Sequence, residues 1–109
     1  GVLPGAPIEA QSPRVLMNIR SVGRSGEPIE ARGRAPWGMR YEGPTHLVFG
    51  HHALADVQLH PFATGIDTGA VYGGRLTALV LREGELIPPV AHRRDALVSV
   101  PSRRAYFPR

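Results

Sequence analysis

The sequence predicts a small mixed α/β fold, loop-rich over residues 1–44 and mainly β-structure over residues 45–100. Three observations support this. Apolar residues recur at helix-like spacing within Val15–Val22. Later segments are short apolar runs of the kind that form buried strands. The 13 glycines and 11 prolines among 109 residues indicate many turns and exclude long helices. The length fits one domain or part of one.

In the first half, residues 1–14 contain glycines and prolines and are expected to form a loop. Val15–Val22 is predicted to be a short helix. Residues 23–44 are rich in Gly, Pro and Arg, which predicts an irregular segment. Trp37 and Tyr41 are its two large side chains, and we expect them to anchor it.

The second half alternates apolar runs with turn residues. Residues 45–50 (THLVFG) and 64–67 are predicted strands, and 57–62 remains open between strand and loop. Residues 76–81 (LTALVL) are almost uniformly apolar, which predicts a strand covered on both faces. Residues 96–100 are expected to form the last strand.

Composition narrows the possible functions. The net charge is +4, and every basic residue is an arginine. This charge could attract phosphate-bearing partners, or it could be a compositional habit of the source genome. The arginines are scattered, which argues against a nucleic-acid patch. The chain contains no cysteine, so a metal would be held by His, Asp, Glu or Asn. No apolar run is long enough to cross a membrane, and a cytoplasmic location is the default expectation.

The most informative residues lie where strands end. His51 follows the apolar run 45–50 directly, so a rigid sheet could aim it at a metal ion. Asp67 follows residues 64–66, and its carboxylate could orient a histidine at the same sheet edge. From the residues alone, a metal ligand and an ordinary polar residue at the end of a strand both remain possible for His51.

Residues 43–81, GPTHLVFGHHALADVQLHPFATGIDTGAVYGGRLTALVL, resemble the C-terminal signature of the calcineurin-like metallophosphoesterases. The GH, IDTG, GG and LTAL elements occur in the order and at the separations seen in that family. The branch that looks nearest contains bacterial serine/threonine-type phosphatases, symmetrical diadenosine tetraphosphatases and the phosphatase module of bacterial RNA-end-healing enzymes. The resemblance implies the C-terminal part of a four-layer α/β/β/α sandwich with mixed β-sheets. It also implies that segments 45–50, 64–67 and 76–81 are neighbours in one sheet.

The same resemblance implies roles for three residues. His51 would bind one of two adjacent divalent ions, with Mn²⁺ favoured and Fe or Zn²⁺ as alternatives. Asp67 would support the histidine or the substrate phosphate, and Arg20 would bind that phosphate. His52 stands where the family usually has Thr, which puts the detailed loop geometry in question. We expect His52 not to share the direction of its neighbour His51 and to have no chemical role, with a place beside solvent or phosphate as the alternative.

The resemblance further implies a hydrolase that cleaves a phosphoester or phosphoanhydride, with a phosphoprotein or a dinucleoside polyphosphate as substrate. The family's GDxHG, GDxxDRG and GNHE motifs, which supply most metal ligands, do not occur in these 109 residues. We therefore expect this chain to be inactive alone and to need the remainder of the phosphoesterase domain, as an upstream segment or a second chain. The alternative is a non-catalytic binding or regulatory module that retains the fold.

Overall fold

A computed structural model describes residues 1–108, which form two compact units. The first unit contains Gly1–Leu47 and His60–Ala63, and the second contains Val48–Leu59 and the residues from Thr64 onward. The helices and strands are α1 (Pro13–Asn18), β1 (Ser21–Val22), β2 (Pro28–Ile29), β3 (Leu47–Phe49), β4 (Gln58–His60), β5 (Ala63–Gly65), β6 (Arg75–Leu79), α2 (Val90–Arg93) and β7 (Leu97–Pro101). Short 3₁₀ turns lie at Ile8–Ala10, Trp37–Met39, Ala70–Tyr72 and Arg94–Ala96.

Helix α1 begins earlier and ends earlier than the sequence predicted. Ser12 caps it, because its hydroxyl accepts a hydrogen bond from Val15 N at 3.3 Å, and Pro13 suits the first helical position. The predicted continuation to Val22 is wrong. Ser21–Val22 instead pairs antiparallel with β2, across a turn in which Gly26 adopts φ 83°. Strand pairing therefore overrides the helical spacing of the last apolar residues.

The first unit packs around Trp37, whose side chain is only 1% exposed. Ile19 and Val2 are also buried, and the ring of Tyr41 meets the Trp37 ring edge-on with centroids 5.9 Å apart. The prediction that Trp37 and Tyr41 anchor the irregular segment is confirmed. This segment also contains the short strand β2.

One three-stranded sheet has the order β3-β5-β4. Leu47 N donates to Phe62 O and Ile66 N donates to Phe49 O, each at 3.0 Å, a pattern that requires β3 and β5 to run parallel. A two-residue connection joins β4 to β5, so that pair is antiparallel. The sheet is therefore mixed, and the predicted mixed α/β fold class is confirmed.

Strand β6 lies in a separate two-stranded sheet, paired antiparallel with β7. The prediction that segment 76–81 neighbours segments 45–50 and 64–67 in one sheet is therefore wrong. The reason is the connection between the sheets, where Gly69 and Gly73 adopt left-handed conformations around the Ala70–Tyr72 turn. An added Cβ at Gly74 would overlap the carbonyl oxygens of Thr68 and Gly69. Only glycine therefore lets the main chain at position 74 pass this close to residues 68 and 69.

Within residues 1–108, β6 is covered on one face only, so the predicted coverage of its second face stays a prediction. Thr77 is buried on one face, but Leu76 on the other is 63% exposed. Its cross-strand partner Val100 and the neighbouring Val98 are exposed as well. Within residues 1–108, no helix is long and apolar enough to cross a membrane.

Candidate functional site: the His51–Asp67 edge

His51 occupies a constrained position just beyond β3. Its main chain adopts φ 74°, which is uncommon for a residue with a side chain. The His51 N–H donates to Asp67 Oδ2 at 3.0 Å, and Asp67 Oδ1 accepts from Gly69 N at 3.2 Å. The structure thus brings together the two residues that the sequence selected. The carboxylate contacts the His51 main chain, which fixes the base of the exposed side chain.

Two further main-chain hydrogen bonds hold the loop after β3. Ala53 N donates to His51 O at 3.0 Å, which closes a tight turn around His52. Leu54 N donates to Asp67 O at 3.1 Å. Asp67 therefore holds the loop through both its side chain and its main chain, and His51 is carried by a firmly attached segment.

His52 points away from the surface. Its side chain is buried, and its Nδ1 lies 3.3 Å from Nε2 of Gln58, which is also buried. His52 and His51 therefore do not share a direction, as expected, and the place beside solvent that was given as the alternative is wrong. His51 is exposed and His52 is buried because the side chains of these adjacent residues point in different directions. No pattern in the sequence selected Gln58, because a lone glutamine in a short strand carries no recognisable signal.

A cleft of about 410 Å³ adjoins the Asp67 side of this edge. Gly50, Asp67, Thr68 and Arg75 contribute to its walls, and apolar side chains such as Leu76 provide much of the remainder. Arg75 adds a positive charge, although its Nε and Nη2 already donate to Ser99 Oγ and Ser99 O. The cleft thus combines one carboxylate, one guanidinium and apolar walls.

Arg20 belongs to the first unit, whereas His51 and Asp67 belong to the second. Its Nη1 donates to Glu30 O at 2.6 Å. Its buried Nε has no hydrogen-bond partner within residues 1–108. The guanidinium therefore retains hydrogen-bonding capacity, and its predicted phosphate contact stays a prediction.

The donor atoms fit one ligand of a metal centre. His51 offers an exposed imidazole, a common ligand for divalent transition metals. In the part of the chain that the structure describes, no group of three or more His, Asp or Glu residues could hold a metal ion. These residues therefore fit a contribution to a metal site whose other ligands come from elsewhere.

No family model matches the chain. It is similar, however, to bis(5'-nucleosyl)-tetraphosphatase PrpE [asymmetrical] of Bacillus cereus (strain AH820), with 37% identity over 83 residues. The corresponding protein of Bacillus thuringiensis (strain Al Hakam) is 36% identical over the same length. Each match covers 76% of this chain and 28% of the relative.

A solved structure agrees with these sequence matches. The protein, described as "a putative diadenosine tetraphosphatase", superposes on 94% of this chain with a TM-score of 0.71 and 30% sequence identity. The resemblance to the C-terminal part of a calcineurin-like metallophosphoesterase is confirmed. The chain spans 44% of the solved chain and 28% of the PrpE relatives. Those relatives are named as asymmetrical enzymes, whereas the symmetrical enzymes are one of the groups in the branch that the motifs resemble.

Proposed function

We propose that the native protein containing this segment is a metal-dependent hydrolase that cleaves a phosphoanhydride bond of a dinucleoside polyphosphate. The observation that carries the proposal is the His51 loop, which presents an exposed imidazole on a main chain fixed by Asp67 at 3.0 Å. The relatives named as tetraphosphatases support this substrate class over a phosphoprotein.

In this proposal each predicted residue has a separate task. His51 binds one of two divalent ions, and Asp67 holds the His51 main chain in place. Arg20 contacts a substrate phosphate through its guanidinium, a group suited to charge-assisted hydrogen bonds with phosphate oxygens. The bound ions, of which Mn²⁺ is favoured over Fe or Zn²⁺, would supply a nucleophilic water of lowered pKa and neutralise phosphate charge.

We also propose that further polypeptide of the same phosphoesterase domain supplies the remaining ligands. Three features support this. The segment spans only 28% of the curated relatives, and one His cannot form a binuclear site. The apolar outer face of β6 and β7, which comprises Leu76, Ala78, Val98 and Val100, is exposed and suits coverage by another part of a domain.

The test measures hydrolysis of diadenosine tetraphosphate by the native polypeptide with Mn²⁺, beside a phosphopeptide as the second substrate. We expect the dinucleotide to be cleaved, and His51→Ala to abolish turnover while the protein stays folded. His92→Ala is the matched control, because His92 is an exposed histidine on α2. If His51→Ala retains full metal content and activity, the proposed role of His51 is wrong.

The same assay separates the competing functions. Cleavage of the phosphopeptide alone would move the proposal to a phosphoprotein phosphatase. Binding of the dinucleotide without cleavage, at saturating Mn²⁺, would favour the non-catalytic module. An Arg20→Gln variant should raise KM with little change in kcat, because it removes a substrate contact rather than a group needed in the chemical step.

A further inference from the structure

The buried pair His52–Gln58 includes the residue that directly follows His51, the proposed metal ligand, in the sequence. Each side chain is 8% exposed, and His52 Nδ1 lies 3.3 Å from Gln58 Nε2. Buried polar groups that lose their partner cost free energy, so each residue holds the other in a defined orientation. Gln58 sits on β4, which makes the pair a link between the His51 loop and the sheet.

The left-handed main-chain conformation of His51 has to be held in place by neighbouring residues. A left-handed main chain is unfavourable for a residue with a Cβ and persists only where the surroundings enforce it. Asp67 holds this position from one side through the His51 amide. His52, as the next residue in the chain, holds it from the other side through its buried ring. Both restraints are needed, because either alone leaves one side of the residue free to rotate.

We propose that His52 and Gln58 form a positioning pair that keeps His51 in its left-handed conformation and so holds its imidazole in place for a metal ion. The metal part of this inference rests on the proposed function. The positioning part rests on the hydrogen bond, the burial and the main-chain conformation. Neither His52 nor Gln58 needs to contact metal or substrate.

The first measurement is amide hydrogen exchange of the native polypeptide without metal or substrate. In His52→Ala and in Gln58→Leu, we expect exchange at the His51 and Leu54 amides to rise by about tenfold or more. Amides in the β6–β7 ladder should keep their wild-type rates, because that sheet does not depend on the loop. A uniform rise across the protein, or no change at His51, would overturn the proposal.

The second measurement is Mn²⁺ affinity. Groups that orient a metal ligand typically change affinity or activity by ~10–100-fold, and we expect such a loss in His52→Ala. His52→Asn should recover part of it, because an Asn oxygen can replace Nδ1 as the acceptor for Gln58. His92→Ala should bind metal normally. Normal Mn²⁺ affinity in His52→Ala would overturn the claim that the pair supports metal binding. If His51 binds no metal at all, the proposed function fails, and the exchange data alone decide whether the pair positions His51.

Discussion

The carboxylate of Asp67 accepts a hydrogen bond from the main-chain amide of His51 at 3.0 Å, across 16 residues of sequence. The second carboxylate oxygen accepts from Gly69 N at 3.2 Å. One side chain thus joins the loop that follows β3 to the turn that follows β5. Because these strands run parallel, both segments leave the sheet at the same edge, and Asp67 is the residue that ties them together.

Substitutions of Asp67 should lower metal affinity or turnover more when they remove both carboxylate acceptors than when they remove one. Asp67→Asn retains one oxygen and loses either the His51 or the Gly69 bond, so we expect metal affinity or turnover to fall by about tenfold. Asp67→Ala loses both bonds and should fall by about a hundredfold. Metal titration and steady-state kinetics of the native polypeptide check the order. Equal effects of the two variants would show that the charge, rather than the pair of acceptors, matters.

Sequence pattern does not show that Asp67 binds the main-chain amide of His51 rather than its ring. That the two residues lie close together could be predicted, because each stands at the end of a predicted strand. The buried direction of His52 could not, because it depends on Gln58, which a different strand brings to it. A sequence pattern relates residues that are close along the chain. The contact between His52 and Gln58 forms only when β4 is paired within the sheet. The same limit applies to β6, whose partner β7 lies about twenty residues further along the chain.

The ion pair between Asp56 and Arg94 predicts a dependence on pH at the surface of the second unit. Arg94 donates to both carboxylate oxygens, at 3.0 and 3.2 Å. These hydrogen bonds, together with one from Val57 N, lower the pKa of Asp56 from its ordinary value of 3.8. The pair therefore stabilises the fold above pH 3.8, and this contribution is lost as the pH falls through the lower pKa of the folded state.

Arg94→Gln should raise the pKa of Asp56 toward 3.8, because it removes the main cause of the shift. An NMR titration of the Asp56 carboxyl between pH 2 and pH 6 measures this directly. Arg82→Gln, at another exposed arginine, is the control and should leave the titration unchanged. An unchanged pKa in Arg94→Gln would mean that the ion pair does not persist in solution.

Two buried hydroxyl groups predict an asymmetry between otherwise similar substitutions. Thr68 Oγ1 donates to Arg75 O at 2.7 Å and lies 2.6 Å from Thr77 Oγ1. Since Thr68 has a single hydroxyl hydrogen, Thr77 must be the donor in the second bond. Thr77→Val therefore removes one hydrogen bond, at a cost of about 1 kcal/mol. Thr68→Val leaves the Arg75 carbonyl and the Thr77 hydroxyl without their partner, which should cost about 1–3 kcal/mol.

Urea unfolding of the native polypeptide measures both free energies, with Thr45→Val as a control at an exposed threonine. Thr68→Val should be the least stable of the three variants. The reverse order would show that Thr68 is not the central acceptor of this small network. The hydrogen bond between Thr68 and Thr77 joins the IDTG segment to the LTAL segment. A hydroxyl group at position 68 therefore stabilises the turn between these two segments.

The exposed face of β6 provides a direct test of whether further polypeptide covers this segment. Leu76 and Met17 are each 63% exposed in the structure, so truncating either should cost little if nothing else packs there. In the native polypeptide we expect Leu76→Ala to lower the free energy of unfolding by about 2–5 kcal/mol, the usual cost for a buried leucine. Met17→Ala on α1 should change it by no more than about 0.5 kcal/mol, as is typical of surface positions. Denaturant unfolding of the two variants gives the comparison, and a small effect at both positions would show that the outer face of β6 and β7 remains in contact with water.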